Sequence, residues 1–92
     1  MEGNKMTLRT CNYFKQSTAG EQFNTELILE TIDANEHVLY AMVKIDVPNV
    51  TTYYPNSSCY VYKSGTTLRA YMTTSHTYLT KFFITVTLIK LG

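Results

Sequence analysis

Side chains alternate with a period of two along most of this chain, and the three-to-four spacing of an amphipathic helix is sustained nowhere. Successive side chains of a strand point to opposite faces, so this alternation is the mark of half-buried β-structure. It is clearest over residues 78–91, where Phe82, Ile84, Val86 and Leu88 share one face and Phe83, Thr85, Thr87 and Ile89 the other. Apolar residues on both faces predict a central strand, or one buried at an interface. The same reading predicts strands over 7–15, 23–32, 37–46, 59–63 and 66–73. In the second, Leu27 and Leu29 oppose Glu26, Ile28 and Glu30; in the third, Leu39, Ala41, Val43 and Ile45 oppose Val38, Tyr40, Met42 and Lys44.

The breaks between these segments carry turn chemistry. Gly20 lies near the tip of the first loop, and Asp33-Ala34-Asn35-Glu36 is a tight connection because Asp and Asn side chains cap their own backbone. Pro48 and Pro55 would interrupt any ladder and mark 47–58 as a long loop, whereas Ser64-Gly65 reads as a hairpin turn. Six short strands must protect their edges by closing a barrel or by pairing with another chain. The expected architecture is therefore all-β: a small antiparallel barrel or Greek-key sheet of five to six strands, OB-like, over residues 7–92, after a disordered leader at 1–6.

Ninety-two residues allow one core. The apolar share of 45% excludes the disordered class, and with only 16% charged residues the surface must be largely neutral and polar. No apolar run reaches eighteen residues and the first residues lack the apolar stretch of a signal peptide. No membrane association is expected, and the expected location is the cytoplasm, including that of an infected host cell.

Catalytic and metal chemistry find little support. Cys11, His37, Cys59 and His76 contain no short ligand pair, and Gly3, Gly20, Gly65 and Gly92 are isolated, so no phosphate-cradling loop is present. The two cysteines read as buried, reduced thiols. Glu26 and Glu30 read as solvated residues on one strand face. No enzyme activity, cofactor or metal is expected.

Charge and aromaticity are more informative because they are segregated. Residues 1–46 carry a net charge of −3, and residues 47–92 carry +4 with no acid at all, together with six tyrosines. Single-strand binders combine aromatic rings, which stack on bases, with cations that follow the phosphates. Arg9, Tyr13, Phe14 and Lys15 near the first loop, and Tyr60, Tyr62, Lys63, Arg69 and Tyr71 on the hairpin, are the candidate nucleic-acid-binding residues; Tyr53 and Tyr54 add aromatics in the long loop. Alternation places Tyr60 with Tyr62 and Arg69 with Tyr71, as neighbours across the turn. For each tyrosine the alternative is ordinary strand packing with the hydroxyl at the rim.

The order of elements, from Glu26-Leu27-Ile28-Leu29-Glu30-Thr31-Ile32 through His37-Val38-Leu39-Tyr40-Ala41-Met42-Val43-Lys44-Ile45 to Tyr54-Pro55-Asn56-Ser57-Ser58-Cys59-Tyr60-Val61-Tyr62, resembles the small single-stranded-DNA-binding proteins of filamentous bacteriophages, of the gene V protein type. The resemblance covers about residues 25–92 as a pattern. It implies a five-stranded OB barrel, a symmetric homodimer and a single-stranded nucleic-acid partner, with Tyr13, Phe14 and Lys15 flanking the first binding loop and Arg69 and Tyr71 lining the groove. The sequence departs from that pattern where Glu21 offsets Lys15 and where a serine pair replaces a proline-glycine turn. The alternative expectation is a small viral or mobile-element protein that binds a protein partner, as an inhibitor or virion component, through its tyrosine-rich surface or an exposed strand edge.

Overall fold

The computed structural model describes residues 5–18, 20–48 and 57–92. Within them lie six strands: β1 (Met6–Gln16), β2 (Asn24–Thr31), β3 (Glu36–Asp46), β4 (Ser57–Ser64), β5 (Thr67–Thr74) and β6 (Lys81–Leu91). The described residues include no helix long and apolar enough to cross a membrane. Met6 pairs with Leu91, so the first strand takes in the last residue of the expected leader, and residues 1–4 lie outside the described part. The final strand begins at Lys81 rather than at 78 because Thr80 is held in the loop, its backbone N–H donating to Ser17 Oγ at 2.8 Å and its carbonyl accepting from Ser17 N at 2.9 Å.

The strands form two antiparallel sheets of three, in the orders β1-β6-β3 and β2-β5-β4. The expected small all-β antiparallel fold of six strands is what the chain adopts; neither sheet closes on itself, so the strands stand as two open sheets packed on one core rather than as a closed barrel. One hairpin occurs among the described connections, between β4 and β5. Its turn is Gly65-Thr66, one residue later than the sequence reading, with Gly65 at φ +59°, where a side chain would be strained.

The two central strands supply the core. Leu68, Ala70 and Met72 of β5 face Phe82, Ile84, Val86 and Leu88 of β6, and all are essentially inaccessible to water. Burial of a Leu, Ile or Phe side chain contributes about 1.5–3 kcal/mol, so these residues hold the layers together. The four outer strands are buried only on alternate residues: Tyr13, Leu27, Leu29, Val43, Ile45, Cys59 and Val61 pack against that core from its margins. Burial raises the Cys59 thiol to about 11, so it stays protonated at neutral pH.

Two bulges change the expected faces. The β3–β6 register slips between Val38 and Tyr40, so Leu39 is the extra residue. Ala41, Val43 and Ile45 lie opposite inward-facing β6 residues as expected, but before the bulge the parity inverts: Val38 turns inward opposite Leu88, and Leu39 is 55% exposed. The β2–β5 register slips likewise between Ile28 and Glu30, leaving Leu29 as the extra residue. Glu26 pairs with outward Tyr71 and Glu30 with inward Leu68, so the two acids do not share a face.

Candidate functional site

The hairpin β4–β5 and its neighbour β2 form a three-by-three grid on the outer face of their sheet. One row is Asn24, Thr73 and Ser58; the next is Glu26, Tyr71 and Tyr60; the third is Ile28, Arg69 and Tyr62. Strand pairing brings the rings together: the Tyr60 centroid lies 5.7 Å from that of Tyr71 and 5.8 Å from that of Tyr62, with tilted planes. Such tilted pairs satisfy the ring quadrupoles and add to area burial. Tyr60 is 57% exposed and Ile28 is 55% exposed, so the grid is a solvent-facing surface with apolar content.

Polar partners orient the rings. Tyr62 donates its hydroxyl to Glu26 Oε1, Tyr71 donates to Asn24 Oδ1, and Arg69 Nη1 approaches Glu26 Oε2 at 3.1 Å. Glu26 thus holds a ring and neutralises the one cation of the grid. Beyond the first row lies a shallow, hydroxyl-rich depression of about 360 Å³ lined by Ser57, Ser58, Thr73, Thr74 and Ser75. Ser58 Oγ and Thr73 Oγ1 are 2.6 Å apart, and Ser57 Oγ lies 2.8 Å from His76 Nε2.

The other candidate residues lie elsewhere. Arg9, Tyr13 and Lys63 sit at the margins of the space between the sheets, Arg9 and Lys63 at the end where β2 turns into β3. The bulges explain the cluster there, since the slip at Leu29 turns Glu30 inward and the slip at Leu39 turns Glu36 inward. Arg9 then reaches both carboxylates, with Nε 2.7 Å from Glu36 Oε2 and Nη2 2.8 Å from Glu30 Oε2. Tyr13 donates its hydroxyl to Glu30 Oε1, and the Asp33 backbone N–H donates to Glu36 Oε1 at 2.9 Å. Lys63 Nζ donates to the Ala34 carbonyl at 2.7 Å, and Lys90 pairs with Asp33 at 3.2 Å.

This cluster perturbs its own protonation. The Tyr13 hydroxyl is held well above its ordinary value, first by burial and then by its bond to Glu30. Glu30 is lowered by the Tyr13 and Arg9 donors, although its partial burial works the other way. Glu36 is lowered by Arg9 and by the Asp33 amide. Three cations and three carboxylates therefore balance at the end of the sandwich.

Phe14 lies on the outer face of the opposite sheet, where its ring centroid is 5.0 Å from that of Phe83, and Lys44 Nζ lies 5.8 Å from the Phe83 ring centre. Lys15 is paired with Phe82 in the β1–β6 register, toward the other end of the sandwich from Arg9. The structure therefore brings together Tyr60, Tyr62, Arg69 and Tyr71 and separates them from Arg9, Tyr13, Phe14, Lys15 and Lys63. Tyr53 and Tyr54 lie outside the described residues. Sequence reasoning missed Asn24 and Glu26, whose part in the grid follows from the β2–β5 pairing. Among the described residues no group of three His, Cys, Asp or Glu side chains gathers as a metal site would require.

Comparison with known proteins finds no matching family model, no matching curated protein and no matching solved structure.

Proposed function

We propose that this chain is a binding module for a partner protein, with the outer face of the β2-β5-β4 sheet as its contact surface. The observation that carries this reading is the electrically balanced aromatic grid, in which Tyr60 lies against both Tyr62 and Tyr71 while Glu26 neutralises Arg69. Tyrosine and arginine are the residue types enriched in protein interfaces, and anchors of this kind dominate binding energy when desolvated. Placement on a paired hairpin also keeps the rings ordered before binding, which lowers the entropy cost of association.

Single-stranded nucleic acid is the second reading, favoured by the convergence of four candidate residues on one exposed face with rings available for stacking. Charge is what separates the two. A polyanion partner needs unpaired cations, and Arg69 here has a carboxylate beside it.

Titration with labelled oligo-dT at low and high salt discriminates between them. The protein-partner reading expects no binding that weakens steeply with salt, whereas a nucleic-acid binder loses affinity through counterion release. Glu26→Gln unmasks Arg69 and raises any residual low-salt affinity a few-fold, about the worth of one exposed charge pair. Salt-dependent binding by the unaltered chain that is lost in Tyr60→Ala overturns the protein reading. Retention of one defined partner protein, weakened tenfold or so by Tyr60→Ala with Tyr71→Ala as hot-spot losses are, supports it.

A further inference from the structure

Two sheets of three leave four edge strands, and they are not equally protected. The β2 and β3 edges each carry a bulge, at Leu29 and Leu39, of the kind that deters pairing with a further strand. The β4 edge is only eight residues long, and β3 runs beside it on the same flank. β1 is different. It pairs with β6 through eleven consecutive residues without a slip, contains no proline, and has no strand on its other side among the described residues. A long, regular and uncovered edge is a template for another strand.

We infer that β1 pairs antiparallel with β1 of a second copy of this chain about a two-fold axis at Cys11, joining the two β1-β6-β3 sheets into one of six strands. The occupant follows from the sequence of the strand itself. An axis perpendicular to the sheet pairs residues of the same face, so only registers that keep inward residues opposite inward residues are open. Full overlap of Met6–Gln16 with itself has its midpoint at Cys11. In that register Leu8 lies opposite the second copy's Phe14, Thr10 opposite its Asn12, Arg9 opposite its Tyr13 and Thr7 opposite its Lys15. Leu8 meets Phe14, the pairs between them match polar with polar or a cation with a ring, Met6 faces Gln16 only at the ends, and no like charges face each other.

Neighbouring registers are worse. Moving the axis to Asn12 sets Arg9 against Lys15, and moving it to Arg9 sets that residue against itself. Moving it to Thr10 shortens the ladder and places Leu8 against Asn12. A strand that matches its own reverse best at maximum overlap is suited to an isologous contact, and an eleven-residue ladder supplies about ten backbone hydrogen bonds, the number typical of a specific interface. The bulge in β2 keeps the β2-β5-β4 sheet from continuing in the same way. The joined sheet also carries Leu8 and Phe14, 58% and 50% exposed in the single chain, to the middle of its outer face.

Sedimentation of the full chain across a dilution series tests the pairing, with the dimer expected at twice the 10.5 kDa of one chain. Leu8→Lys with Phe14→Lys places like charges opposite each other twice per ladder and weakens the dimer roughly tenfold or more, whereas Leu8→Lys with Phe14→Glu places opposite charges there and restores it to within a few-fold of the unaltered chain. Both positions are exposed, and unchanged far-ultraviolet circular dichroism establishes that each variant is folded. A chain that stays monomeric at every concentration overturns the inference. A dimer indifferent to the lysine pair overturns the β1 edge, and one weakened equally by both pairs overturns the register.

Discussion

The molecule contains the same three-residue device twice, and the two copies sit in opposite surroundings. At the end of the sandwich Glu30 accepts from Arg9 and Tyr13; on the outer face of the β2-β5-β4 sheet Glu26 accepts from Arg69 and Tyr62. The acids are four residues apart on one strand, and a single bulge sends one inward and the other outward. Water decides what each triad is for. Glu30 is partly enclosed and its neighbour Glu36 has only 9% of its side chain exposed, so Arg9 there compensates carboxylates that have lost hydration. Glu26 is 40% exposed, and its ion pair leaves the fold nearly as stable as without it while removing net charge from the aromatic grid.

The strongest way to break this comparison is to truncate the two tyrosines. Tyr13→Ala removes a ring that packs against the core and a donor to Glu30, and should lower unfolding free energy by about 2–3 kcal/mol in urea titration. Tyr62→Ala should cost about 0.5–1 kcal/mol, since its ring stays partly exposed in the folded chain and loses little hydration on folding. Equal losses would mean that the two triads are energetically alike.

The arginines give a smaller contrast. Arg9→Ala should destabilise by about 1–2 kcal/mol, a figure reduced for the water that reaches its 41% exposed side chain, because Glu36 keeps only the Asp33 amide as a partner. Arg69→Ala should cost about 0.5 kcal/mol or less on the same measurement.

Acid titration sharpens the distinction further. Glu30 and Glu36 are lowered below 4.5 in the folded chain, so as pH falls below that value the unfolded chain takes up protons before the folded one does. The stability that these carboxylates contribute is complete above that range and is lost as pH falls through their lowered folded values. Glu30→Gln with Glu36→Gln should flatten this acid limb, measured as unfolding free energy against pH.

Much of the architecture was legible because strand alternation is a local property. All six strands, the inward set of β6 and the adjacency of Tyr60, Tyr62, Arg69 and Tyr71 follow from alternation and one short turn. The layer arrangement was not legible, since whether six strands close into a barrel or divide into two sheets depends on partners distant in sequence. Leu29 and Leu39 show a second limit. Nothing in their identity marks an extra residue, yet each reverses the face of its strand, which is why Glu30 was read as sharing a solvated face with Glu26, and Leu39 as sharing the face of Ala41, Val43 and Ile45. Arg9 and Lys63 were read as candidate nucleic-acid-binding cations because their partners, Glu30, Glu36 and the Ala34 carbonyl, come from strands and turns distant in sequence.

The place of β6 in the chain has a consequence for synthesis. It is the middle strand of its sheet but the last of the six to leave the ribosome, and both β1 and β3 depend on it for their ladders. A nascent chain released at residue 80 therefore holds two long strands with no neighbour and lacks half of its interior. Productive folding must wait for residues 81–91, and during that delay the unpaired strands are open to contacts with other growing chains.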